Sequence, residues 1–128
     1  MSLILALALA AAPAELCSMD GPQQDMNQCA YQRFVAADKD LNAIWPKAVA
    51  SAKESDKQRD VQYDSRPGDF ETLRAAQRAW VTFRDAHCTM EGYQARGGSM
   101  EPMLYNLCRE TLTRNRISQL ESMLDGLE

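Results

Sequence analysis

The chain has 128 residues, 45% of them hydrophobic and 25% charged, which is the size and composition of a single globular domain. Fourteen basic against eighteen acidic side chains leave a net charge of -4, which speaks against nucleic acid as a partner, since that binding is driven by neutralising phosphates. The same balance mildly favours a basic partner.

Residues Leu3 to Ala12 form an unbroken apolar run, followed by Ala12-Pro13-Ala14. Small residues at the first and third positions before a cut are the signal read by leader peptidases. We therefore expect a signal peptide over residues 1–14 and one domain over residues 15–128. No Lys or Arg precedes the run. The alternative is a buried N-terminal helix, but an Ala/Leu run without a polar face fits the core of a small domain poorly. The run is also too short to span a bilayer, and Glu15 just before Cys17 argues against a lipid-modified cysteine. The expected location is the periplasm or the extracellular medium, with no stable membrane insertion.

Asp20-Gly21-Pro22 is a turn signal. After it, Met26, Ala30, Phe34, Ala37, Leu41, Ile44, Ala48 and Ala52 recur at steps of three and four, one face of a first helix. Trp45 lies beside this stripe, and Pro46 should kink or break it. From Ser51 to Asp69 the chain is polar and reads as a frayed helix end followed by a loop, with Asp69 as N-cap of a second helix.

In that second helix Leu73, Ala76, Trp80, Phe83, His87 and Met90 follow at steps of 3, 4, 3, 4 and 3, a seam for packing against another helix. It runs out at Gly97-Gly98, where glycine is the expected stop. Ser99 is placed to cap a third helix, with Pro102 tolerable in its first turn. Leu104, Cys108, Leu112, Leu120 and Leu124 make the third stripe, with Leu107, Ile117 and Leu127 alongside. The predicted fold is all-α: a small bundle of three main helices, the last two an antiparallel hairpin.

Four cysteines in a short exported chain predict a disulfide framework that staples this bundle. Cys88 lies ten residues before Gly98 and Cys108 ten after it, so the two stand level across the hairpin. Cys17 and Cys29 are each about 10 Å from the turn at Gly21. This register favours Cys17–Cys29 and Cys88–Cys108, with the two crossed pairings still open. The gaps contain no Cys-x-x-Cys pair, so a four-thiolate metal site is not expected, and no cofactor is expected either.

No catalytic residues are identified. His87, the one histidine, reads as a core-edge residue with one hydrogen bond. No pair of carboxylates is singled out for acid–base chemistry, and Trp45 and Trp80 read as core. Arg84, Asp85 and Arg116 read as inter-helix salt bridges or hydrogen bonds to loop carbonyls, fixing helix register.

The run Asp25-Met26-Asn27-Gln28-Cys29-Ala30, then Ala37-Asp38 and Leu41-Asn42, then Leu73-Arg74-Ala75-Ala76-Gln77-Arg78-Ala79-Trp80 carries a resemblance. It continues through Phe83-Arg84-Asp85-Ala86, Cys88, Gly97-Gly98-Ser99, Cys108, Leu112-Thr113 and Arg116. In this order and spacing the chain resembles the lysozyme-inhibitor LprI-like N-terminal domain family of small bacterial secreted proteins and lipoproteins. The resemblance implies a helical, disulfide-bonded, exported domain with a protein partner, lysozyme being the candidate. The shared Gln77, Trp80, Arg84, Asp85, Gly98, Thr113 and Arg116 read as structural positions of that family. Two functional classes follow: an inhibitor of a cell-wall hydrolase, or a periplasmic adaptor or envelope-stress protein that binds another protein. The preferred contact region is the polar segment from Ser51 to Asp69, since loops on rigid scaffolds commonly carry binding residues.

Overall fold

The computed structural model describes residues 17–126. The expected leader at residues 1–14, and Leu127 of the third stripe, lie outside the described residues. Three long helices make up the described chain: α1 (Gln23–Gln58), α2 (Asp69–Gly92) and α3 (Glu101–Leu124), with a short 3₁₀ turn at Tyr93–Ala95 before the α2–α3 turn. The bundle is the predicted one, and both disulfides are those favoured by register. Cys17–Cys29 ties the N-terminal segment to the start of α1, and Cys88–Cys108 ties α2 to α3, with Cα separations of 5.5 and 5.3 Å.

The chain runs down α1, up α2 and down α3. Arg33 of α1 meets Glu110 of α3, and Asp40 meets Arg114, so α1 and α3 run parallel with α2 antiparallel to both. The α1 stripe behaves as its periodicity predicts: Ala30, Phe34, Ala37, Leu41, Ala48 and Ala52 are buried. The core has two unlike halves. Toward the C-terminal ends of α1 and α3 it is apolar: Leu41, Ala48, Ala52, Leu73, Ile117 and Leu120, with Ile44, Trp45, Phe70 and Trp80 packed against them. Toward the hairpin turn α3 instead buries Asn106, Glu110 and Thr113, and α2 buries Arg84.

Three sequence expectations are corrected. First, α1 is not broken at Pro46; it continues to Gln58, so the expected fraying near Ser51 is helix and only residues 59–68 form the loop. An interior proline costs about 3 kcal/mol, through a lost hydrogen bond and a ring clash. Here Pro46 is exposed, and the burial of Leu41, Ile44, Trp45, Ala48 and Ala52 on both sides of it offsets that cost.

Second, neither predicted N-cap caps its helix. Gly68 holds the N-cap position of α2 without a side-chain bond. The carboxylate of Asp56, at the end of α1, takes the cap's place: it accepts the backbone N–H of Asp69 at 2.7 Å and of Phe70 at 3.1 Å. An anion there also complements the positive end of the α2 dipole. Gly68 permits this approach, since a Cβ at that position would lie 2.6 Å from Asp56 Oδ1. At α3 the N-cap is Met100 rather than Ser99. The Ser99 carbonyl instead accepts an N–H from Asn27, and the Glu101 carboxylate accepts the N–H of Gly97, whose φ of 79° suits glycine.

Third, the seam of α2 is rotated from the one its apolar residues suggest. Leu73, Arg84, Cys88 and Gly92 are buried, with Gln77 and Trp80 partly so. Ala76, Phe83 and Met90 face solvent, Phe83 at 56% and Met90 at 59% exposure. The disulfide fixes Cys88 inward, and Arg84, one turn before it, follows onto the same face.

Candidate functional site

Five of the seven predicted family positions come together as the polar layer between α2 and α3. Arg84 is 7% exposed; its Nη1 donates to Thr113 Oγ1 at 3.4 Å and its Nε to Asp85 at 2.9 Å. Arg116 donates from Nε to Gln77 Oε1 at 2.8 Å, and from Nη1 to Gln119 within its own helix. Across the helices, then, both arginines meet neutral acceptors. The expected inter-helix salt bridge is corrected here: the one ion pair of Arg84, with Asp85, lies within α2. Neutral partners still satisfy the buried donors, which is what burial demands. Burial lowers the pKa of Arg116 from its usual value, though a guanidinium stays charged at neutral pH.

Trp80 forms one wall of this layer. The Arg84 guanidinium lies 5.0 Å from the Trp80 ring and 5.2 Å from the Phe34 ring. Arg109 lies 3.7 Å from Phe34 and 4.3 Å from Tyr105. Phe34 is thus shared between two cations, which places π-faces where a carboxylate would otherwise be needed. Gly98 stands apart, in the turn, where its N–H donates to the Ala95 carbonyl at 2.9 Å. Sequence reasoning missed Arg33, Glu110 and Arg109. Arg33 and Glu110 make a two-pronged ion pair, and their charges had no apolar periodicity to mark them as inward-facing.

His87 lies at the bundle edge, its ring stacked on Phe83 at 5.3 Å and its Nε2 3.2 Å from Glu91 Oε1. His87, Glu91 and Cys108 bring three potential metal-ligating atoms within 4.8 Å of one another. Cys108, however, is spent in the disulfide, so its sulfur is not the thiolate a metal would need.

The loop of residues 59–68 is compact and bound to itself. The Asp60 carboxylate accepts the N–H of Gln62 at 2.9 Å, and the Asp60 carbonyl accepts those of Tyr63 and Asp64. Arg66 grips Asp64 with both Nε and Nη2, at 2.9 and 2.7 Å, while Arg59 donates to the Arg66 carbonyl. The Arg66 hydrogen bonds hold the Asp64 carboxyl below its ordinary value of 3.8. The result is a braced loop that presents Tyr63, 90% exposed, and Val61, 62% exposed. Beside it lies a groove of about 500 Å³ lined by Ser51, Ala52, Leu73, Ala76, Arg116 and Met123, among others. No helix among the described residues is long and apolar enough to cross a membrane.

Residues 16–120 match the family model described as lysozyme inhibitor LprI. An uncharacterised protein of Rhizobium meliloti (strain 1021) is 40% identical over 116 residues, covering 91% of this chain and 84% of that protein. No solved structure matches. The chain belongs to the LprI lysozyme-inhibitor family.

Proposed function

We propose that this chain is an exported protein-binding domain that inhibits a lysozyme, acting through the braced loop of residues 59–68. Family membership supports the partner class. The observation that carries the site is Tyr63, an almost fully exposed aromatic ring on a loop whose backbone is already fixed by Asp60, Asp64, Arg59 and Arg66. Tyrosine is enriched among residues that dominate binding energy, and a loop fixed before binding loses little entropy on docking. The loop itself is charge-balanced, with Arg59 and Arg66 against Asp60 and Asp64, so it is the chain's net charge of -4 that suits a basic target such as a C-type lysozyme.

The two disulfides and the family support work outside the cytoplasm, and in this reading residues 1–14 are the leader. The mature chain then begins at Glu15, which intact-mass measurement on protein from its native host checks. Calorimetric titration of the oxidised protein into lysozyme tests the proposal. A saturable complex that weakens as salt rises supports it, because exposed charges are screened over about 10 Å at 0.1 M and about 3 Å at 1 M. No heat and no complex at either salt leaves the adaptor class, whose partner a periplasmic pull-down would recover.

A further inference from the structure

The groove beside the loop holds a charge that the fold leaves without a counter-ion. Within the bundle, Arg33, Arg84 and Arg114 each meet a carboxylate, and Arg109 lies between the rings of Phe34 and Tyr105. Arg116 has neither kind of partner among the described residues; its hydrogen bonds go to the amide oxygens of Gln77 and Gln119. Neutral amides satisfy N–H donors but cancel no charge. Desolvation is the one cause of the lowered Arg116 pKa, with no carboxylate acting against it. A guanidinium carries five N–H donors, so donors remain for an anion. They line a hollow of about 500 Å³, within the range that takes a small molecule.

The hollow is also polarised along its length. Gln77, bonded to Arg116, marks one end. Asp69 lines the other, eight residues earlier and about 12 Å away along α2. The Asp56 carboxylate stands there too, 2.7 Å from the Asp69 N–H. Helix α3 runs the same way, from Arg116 to Met123, so its C-terminal carbonyls add negative potential at the Asp69 end. Between the ends the wall is apolar: Ala52 of α1, Leu73 and Ala76 of α2, and Met123 of α3. The small alanines leave the hollow open, and Met123, 42% exposed, is an adaptable flank. We propose that this groove binds a small carboxylate amphiphile, its head on Arg116 and its apolar chain along Ala52, Leu73, Ala76 and Met123 toward Asp69. The planar guanidinium fork matches a carboxylate's two oxygens. Asp56 and Asp69 repel the head from the far end, which fixes the ligand's direction. The length of the hollow suits an acyl chain of medium length.

NMR titration of the oxidised, isotope-labelled protein with octanoate and decanoate, each below its micelle-forming concentration, tests the proposal. The expected result is a saturable shift of the Arg116 Nε–H and of the Leu73, Ala76 and Met123 amides. Decanoate should bind about sixteenfold more tightly than octanoate, since each buried methylene is worth about fourfold. Octylammonium, a similar chain with the opposite charge, should leave these signals unmoved. Ala76→Glu puts a carboxylate into the groove at an exposed position, so it should fold like the parent and lose octanoate binding. Arg116→Gln should lose it as well, while Arg116→Lys keeps part of it, with melting followed in each variant. Decanoate without a saturable shift, octylammonium binding as well as octanoate, or full-strength octanoate binding by Ala76→Glu overturns the proposal. No lysozyme is present in these titrations, so the inhibitor reading stands or falls separately.

Discussion

Arg33 of α1 and Glu110 of α3 meet through two contacts, Nη2 to Oε1 at 2.9 Å and Nε to Oε2 at 3.0 Å, with the Glu110 side chain only 7% exposed. This pair fixes the register of the two parallel helices where the core is otherwise polar. Removing one partner leaves a buried charge without its counter-ion, which costs about 3–5 kcal/mol, whereas replacing both with apolar residues is close to neutral. Arg33→Met should therefore lower the denaturant midpoint sharply, and Arg33→Met with Glu110→Met should recover most of the loss. Chemical denaturation of the single and double variants checks this.

Asp56 caps a helix thirteen residues further on, and Gly68 makes room for it. Asp56→Ala should cost about 0.5–2 kcal/mol, the usual value of an N-cap, with faster amide exchange confined to Asp69, Phe70 and their neighbours. Gly68→Ala should produce the same local exchange pattern, because its Cβ displaces the carboxylate. Asp69→Ala should be milder than either, since Asp69 contributes charge near the helix start but no cap bond.

Loop order should depend on pH through Asp64. The Arg66 hydrogen bonds lower its folded-state pKa, so the contribution of the pair is fully present above the ordinary value of 3.8 and is lost as pH falls through the lowered one. The Tyr63 ring environment, followed by NMR, should stay constant from neutral pH down to that ordinary value and change below it. Arg66→Gln should move the transition up toward the ordinary carboxylate range.

Much of this was legible in the sequence. The α1 stripe reads cleanly because nearly every inward position is apolar, from Ala30 to Ala52. Distance along the chain favoured the observed disulfides over the two crossed pairings, which the structure rules out. The sequence misled on α2, where Phe83 and Met90 suggested the inward face while Arg84 and Cys88 occupy it. An apolar stripe shows that a face can pack but not that it does, and in α2 the Cys88–Cys108 disulfide decides which face turns inward. Glu110 and Arg33 were invisible for the converse reason: a buried ion pair has no periodicity of its own, and each residue alone looks like surface. The Asp56 cap escaped notice because capping is normally read within one helix.

The most direct measurement of the central claim is lysis of bacterial cell walls by a basic C-type lysozyme, with the oxidised protein and its Tyr63→Ala variant each in molar excess. Tyr63 is not packed in the core, so the variant should melt like the parent. The proposed function predicts that the parent slows lysis and that Tyr63→Ala weakens inhibition by about thirtyfold or more, the effect of a hot-spot residue worth about 2 kcal/mol. Lysis at full rate in the presence of the parent protein, at low and moderate salt alike, would contradict it.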